Sequence, residues 1–359
     1  MSASITERRV DAHHSEDILT FIRDGVRVQN IPTLPDEAAP LHKGLTVCIC
    51  TFKRPDSCVR FLDSLPQQDL KPNRLVIVDA SPGDETEQRI AGYSQIADLA
   101  DEVFYFRVQG AFQTLTCSRN FALRWVATDL LVFFDDDIVL QPRCLSEMAQ
   151  VYRDNEDEVV GINAHDRQGN KTPPLLWRIR RLFRIVPHLT PGTYTRGGIS
   201  VPWIFQPPTE SVVQGDWLSG CAMMWKTSVI REVKFNEAFG GHSTGEDLDV
   251  SLRMGRHGKL MLAGKAHVLH LPDKAGRPNS YVIAYAGIQN AYDIHQRCLE
   301  NRTVLDTMRF VYAFGLDTVL RSLTFVRPGQ MKRRWNFVRG RTMFFFDRLF
   351  RRSPKRKSG

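Results

Sequence analysis

The chain has 359 residues, 42% hydrophobic and 25% charged. That is globular composition, long enough for one large domain or two ordinary ones, and it excludes a disordered or fibrous polypeptide. The net charge of +8 is concentrated at one end: 331–359 carry eleven Lys or Arg against one acid, a net of +10, leaving −2 for the preceding 330 residues.

Residues 1–44 are expected to be an N-terminal extension and linker, with Pro32, Pro35 and Pro40 as breakers. The first thirty residues alternate charge with apolarity and lack a long apolar core, so no signal peptide is expected. "GLTVCICTF" (44–52) is an apolar, β-rich run without polar alternation, a strand buried on both faces. "RPDSCVRFLDSL" follows as a helix, "RLVIVDAS" (74–81) as a second buried strand, and 84–96 as a helix. "EVFYFRV" (102–108) is a third strand, "LTCSRNFALRWVA" (115–127) a helix, and "LLVFF" (130–134) a fourth strand. Strand and helix alternating at this spacing predict a mostly parallel sheet with crossover helices.

Ligands of such sheets lie beyond the carboxyl ends of the strands. Three of the predicted strands end there in polar side chains: Thr51, Asp79 and the triplet Asp135, Asp136 and Asp137. Adjacent carboxylates repel one another, and burial worsens the repulsion. A divalent cation relieves both, because carboxylate oxygens suit Mg²⁺ and Mn²⁺. Residues i and i+2 of an extended chain point the same way. Asp135 and Asp137 are therefore expected to share an ion while Asp136 faces elsewhere.

Beyond that, 166–214 is proline-rich and irregular and reads as an insertion with a short basic amphipathic helix, "WRIRRLFRI". "DWLSGCAMMWK" (216–226) is expected to be a strand. "TGEDLDVSLRMGRHG" (244–258) reads as a helix with Thr244 and Asp247 as a capping pair, preceded by a glycine-rich "FGGHS" suited to a lid. Its acids Glu246, Asp247 and Asp249 suit the positive end of a helix dipole, and one placed there can serve as a general base. "LMLAGKAHVLHL" (260–271) reads as two short strands. From 274 on, helices are expected; 304–326 carries too many charges to span a bilayer and reads as a soluble or interfacial helix. The seven cysteines form no CxxC pair and read as reduced structural thiols of a cytosolic protein.

From about 45 to 271 the chain resembles the inverting GT-A-fold glycosyltransferases of the family 2 type. The matching segments are "TVCICTFKRPD", "VIVDASPGDET", "CSRNFAL", "FFDDDIVLQP", "WLSGCAMMWK", "GEDLDVSLRMGRHG" and "AHVLH", in that order. The resemblance implies a GT-A, Rossmann-like α/β domain over 45–273, interrupted by the insertion 166–214, with a helical basic region over 274–359. It implies a nucleotide-diphospho-sugar donor and a glycan or lipid-linked acceptor, as in polysaccharide biosynthesis. Thr51, Arg54, Asp79 and Asp136 would lie on the donor side, with Arg119 and Asn120 near the diphosphate. Asp135, Asp137 and His270 would hold Mn²⁺ or Mg²⁺. Asp247 would be the general base, with Glu246 beside it, and Trp217 and Gly220 would line the sugar and acceptor side. Ala80 stands where many members carry a second acid, and Ser118 where a small alanine is usual.

Two other readings follow from the same residues. "FFDDDIV" also fits a haloacid-dehalogenase-type phosphatase with Asp135 as nucleophile, although that motif normally opens its domain. The alternative to catalysis is a non-catalytic membrane-surface binding protein. Cations interleaved with Trp335, Phe337, Phe344, Phe345, Phe346 and Phe350 over 331–359 suit a peripheral contact with an anionic membrane on its cytoplasmic face, with 177–185 as a second contact. Nucleic acid is the weaker partner, since no nucleic-acid motif accompanies the basic run.

Overall fold

A computed structural model describes residues 14–29, 33–36, 38–168, 173–239, 243–273, 279–323 and 331–349. The expected "FGGHS" lid falls largely outside these residues, as does the end of the basic tail. The strands are β1 (Ile18–Arg23), β2 (Val26–Arg27), β3 (His42–Thr51), β4 (Arg74–Asp79), β5 (Glu102–Val108), β6 (Thr128–Asp135), β7 (Ile138–Leu140), β8 (Val159–Asp166), β9 (Val212–Gly215), β10 (Ala222–Lys226) and β11 (Lys259–His270). The helices are α1 (Pro55–Leu62), α2 (Glu85–Ala91), α3 (Leu115–Leu123), α4 (Cys144–Asp154), α5 (Leu175–Leu182), α6 (Thr227–Val233), α7 (Glu246–Met254), α8 (Ser280–Cys298), α9 (Val304–Leu323) and α10 (Met331–Leu349).

All the strands join one sheet in the order β2-β1-β5-β4-β3-β6-β10-β8-β11-β7, with β9 paired to β11. The parallel character predicted from the strand–helix alternation belongs to β5-β4-β3-β6 and to β8 with β11. β10 enters antiparallel between β6 and β8 and joins these two parallel sets. The apolar runs are buried as expected: Val47, Ile49, Leu75, Ile77, Val132 and Phe134 face one core, and Cys48, Val76, Val78, Leu131 and Phe133 the other. Both faces of these strands are covered, which is why their sequences lack alternation.

Four local expectations change. The N-terminal extension is not all linker: β1 pairs antiparallel with β5 and buries Ile18, Phe21 and Ile22. The expected strand at 216–226 begins only at Ala222, because the preceding residues are turned to present backbone groups to the site. β11 is one strand rather than two, with a register irregularity between Ala263 and His267 where the split was expected. α7 starts at Gly245 (φ 90°) with no side-chain cap, because the Asp247 carboxylate bonds the Gly220 amide instead.

A buried acid of α9 helps dock the C-terminal region on the body. Asp317 of α9 accepts hydrogen bonds from Arg180 of α5 at 2.8 Å, Arg321 at 3.0 Å and Arg341 of α10 at 2.6 Å. Burial opposes its charge, but the three guanidiniums hold its pKa at about 2, below the usual carboxylate range. A depressed pKa stabilises the fold above the unfolded-state value of ~3.9, and that contribution disappears as pH falls towards 2. Protection of α10 from proteolysis is therefore expected to fall between about pH 4 and 2. Asp317→Asn, which leaves three arginines facing no charge, should remove that protection already at neutral pH.

Candidate active site

The apolar β6 carries its chain to the carboxyl edge of the sheet, and Asp135 is its last residue. The chain then turns sharply into β7, so three successive acids diverge. Asp136 turns under the sheet edge: Oδ2 accepts from Thr51 Oγ1 at 2.6 Å and Oδ1 from an Arg54 guanidinium nitrogen at 3.0 Å. Burial raises its pKa to about 6, against the pull of Arg54 and Thr51. Asp135 and Asp137 instead converge with His270, the last residue of β11. One ligand atom from each of the three lies within 4.8 Å of the others. β7 makes this possible by pairing with β11 in a register that sets Ile138 opposite His270.

Asp137 is buried, and its two oxygens differ. Oδ2 accepts from the Asp273 amide at 2.9 Å and from Arg54 at 3.4 Å. Oδ1 lies 3.1 Å from His270 Nε2 and has no aligned hydrogen-bond donor among the described residues. A buried carboxylate oxygen left in this way, beside a second carboxylate and an imidazole, is a donor set suited to a divalent cation. Burial works against the Asp137 charge, but His270, the Asp273 amide and Arg54 together hold its pKa below the usual range. Asp135, in contrast, is pushed up by burial despite Arg119.

On the far side of Arg119, α7 supplies Glu246 and Asp247. Gly220 joins them to the acidic element. Its amide donates to Asp247 Oδ2 at 3.1 Å, and its carbonyl accepts from Arg119 at 3.3 Å. A Cβ on Gly220 would meet Glu246 Oε1 at 3.2 Å and Asp247 Cβ at 3.3 Å, so only glycine sits here without displacing them. Glu246 and Asp247 both have raised pKa values; burial is the main cause for each, and Asp247's charge adds to it for Glu246. Trp217 packs with Trp203, Phe239 and Leu248 near the start of α7, its indole N–H buried without a partner among the described residues.

Three of the expected donor-side residues are already engaged inside the protein. Arg119, 2% exposed, bonds Glu246 Oε1 at 2.8 Å and Asp135 Oδ1 at 3.3 Å. It is a strut between the two acidic groups. Asn120 bonds Phe235 through both its amide nitrogen and its oxygen, and also Glu237, so it pins the loop after α6. Asp79 is fully buried and accepts from the Ser81 amide and the Tyr105 hydroxyl, each at 2.8 Å. Sequence reasoning did not single out Tyr105, Ser57 or Asp273. Ser57 donates to Asp273 at 2.9 Å and so anchors the segment that closes on Asp137. No spacing rule links residues 57 and 273; only proximity to His270 pointed towards Asp273.

A doubly covered α/β sheet with an Asp-x-Asp element at a strand end and a Glu-Asp helix beside it is the arrangement that the resemblance to GT-A nucleotide-sugar transferases implies. Residues 46–202 match the model of glycosyl transferase family 2, and these residues form a glycosyltransferase domain of that type. Two solved structures share the fold. One is the mannosyltransferase PcManGT from Pyrobaculum calidifontis in complex with GDP-Man and Mn²⁺, 13% identical over 89% of this chain and 90% of that one, with a TM-score of 0.51. The other is GalNAc-T7 with UDP, GalNAc and Mn²⁺, 11% identical over 89% of this chain, with a TM-score of 0.52; this chain spans 59% of its length. No curated protein sequence matches. The phosphatase and non-catalytic readings are thereby set aside.

Proposed function

We propose that the chain moves a sugar, with inversion, from a nucleotide-diphosphate donor to a hydroxyl of a glycan or lipid-linked acceptor. The observation that carries this reading is the convergence of Asp135, Asp137 and His270 at the sheet edge, joined through Arg119 and Gly220 to the carboxylates of α7. Those three residues would hold Mn²⁺ or Mg²⁺, which supplies positive charge to a departing diphosphate. The named ligands of the two solved neighbours support the donor class and the ion.

Asp247 takes the acceptor hydroxyl proton. The acceptor oxygen then forms its bond to the anomeric carbon as the bond to the diphosphate breaks on the opposite face, and this single displacement inverts the centre. The Gly220 amide fixes Asp247, and Glu246 is held beside it by Arg119. Thr51, Arg54 and Asp136 form the donor-side wall. Asp79 and Asn120 act through the turns they hold. Trp217 shapes the sugar and acceptor side through the apolar wall it builds with Trp203 and Phe239.

A thermal-shift panel of nucleoside diphosphates tests this. One of them is expected to raise the melting temperature only with Mn²⁺ or Mg²⁺ present, by an amount equivalent to about 2.7 kcal/mol at one hundred times its dissociation constant. Asp137→Ala should abolish that shift. A panel in which no nucleoside diphosphate stabilises the metal-loaded protein removes the reading.

A further inference from the structure

α9 is apolar on the wrong side. Its buried face carries two acids, Asp306 and Asp317, beside Phe310 and Phe314. Arginines neutralise both acids: Arg196 and Arg309 bond Asp306, as Arg180, Arg321 and Arg341 bond Asp317. The outward face is a stripe at helical spacing, Val304, Met308, Val311, Tyr312, Val319 and Leu323, interrupted by no charge. Val304, Met308 and Leu323 are 79%, 63% and 76% exposed. A helix that spends its acids inward on arginines and turns this stripe outward is arranged for an apolar phase outside the fold.

α5 lies against it and adds charge of one sign. The Tyr312 hydroxyl donates to the Phe183 carbonyl at 2.8 Å, which sets exposed Leu182 and Phe183 beside the stripe. Arg180 is turned inward to Asp317, whereas Arg178, Arg181 and Arg184 are exposed. There is no acid anywhere from 175 to 209. An apolar stripe edged by arginines without acids complements anionic lipid: the side chains enter the headgroup–acyl boundary and the guanidiniums meet the phosphates. A second copy stacked on the same face would bring like charges together. α10 is less suited to this role than its sequence suggested, because Phe344 is buried and Arg341 is committed to Asp317.

We propose that the outer face of α9, with the exposed arginines of α5, is a docking surface for an anionic membrane. The test is co-sedimentation of the full chain with vesicles of phosphatidylcholine, alone or mixed equally with phosphatidylglycerol. Binding is expected to the mixed vesicles only and to weaken with salt. The pair Met308→Asp and Val311→Asp, at exposed positions, should lower it at least about tenfold with the melting temperature and circular dichroism unchanged. Arg178→Glu with Arg181→Glu should do the same, and removal of 350–359 should leave most of the binding. Equal binding to both vesicle types overturns the proposal. So does binding that survives the aspartate pair, or binding lost with 350–359 alone. Absence of vesicle binding together with a dimer in sedimentation velocity that the aspartate pair dissociates assigns the face to a second copy instead.

Discussion

Asp247→Asn is expected to lower kcat by at least ~10²-fold, the usual scale of a lost general base, while nucleoside diphosphate binding in calorimetry stays unchanged. The substitution is nearly isosteric and removes only the capacity to take a proton. The Gly220 and Leu248 amides that bond this carboxylate still find an acceptor in the amide oxygen for one of them. The pH profile makes the test specific. A base works as its anion, and burial raises the pKa of Asp247. Activity of the native enzyme should therefore climb with pH through a value above the ~3.9 of an ordinary aspartate, and be lost below it. That limb belongs to the Asp247–Glu246 pair, since the charge of Asp247 raises the pKa of Glu246 beside it. It should vanish in Asp247→Asn. A profile that keeps the limb would move the base elsewhere, with Glu246 the first candidate.

Much of this arrangement was legible in the sequence, and the reason is local. β3, β4 and β6 are continuous apolar runs, so burial on both faces could be read without knowing the partners, and their polar ends marked the crevice. The divergence of Asp136 from its two neighbours followed from strand periodicity alone. What could not be read were relations between distant segments. Arg119 looked like a ligand for phosphate because an arginine early in a helix beside a crevice often is one. Only the side-chain contacts across the fold reveal that its guanidinium is enclosed between Asp135, Glu246 and the Gly220 carbonyl. The hairpin β1–β2 was missed for a similar reason. Its apolar run, Ile18–Ile22, is short and flanked by charges, and β5 offers the edge it pairs with. In the C-terminal region, charge density suggested a free basic tail, whereas the buried Asp317 draws one of its arginines, Arg341, inward beside Arg180 of α5 and Arg321 of α9.

Arg119→Met is expected to lower stability by about 3–5 kcal/mol, the scale of breaking a buried ion pair from one side. In a chain of this size that is a fall of roughly 4–7 °C in melting temperature. The side chain is 2% exposed and lies over the rings of Phe133 and Phe235, so methionine can occupy much of the same volume. What methionine cannot do is offset the charges of Glu246 and Asp135. Adding Glu246→Gln should recover a substantial part of the loss, because an apolar and a neutral group together leave no uncompensated charge on that side. Mn²⁺ should recover a further part, since a cation held by Asp135 replaces the missing guanidinium there, and Asp137→Ala should remove that recovery. The double variant should nonetheless stay inactive, its cleft no longer braced between α3 and α7. A phosphate-contacting arginine on the cleft wall predicts the opposite pattern: an unchanged melting temperature and a weakened affinity for nucleoside diphosphate. Differential scanning calorimetry with and without Mn²⁺, beside binding titrations, separates the strut from the ligand.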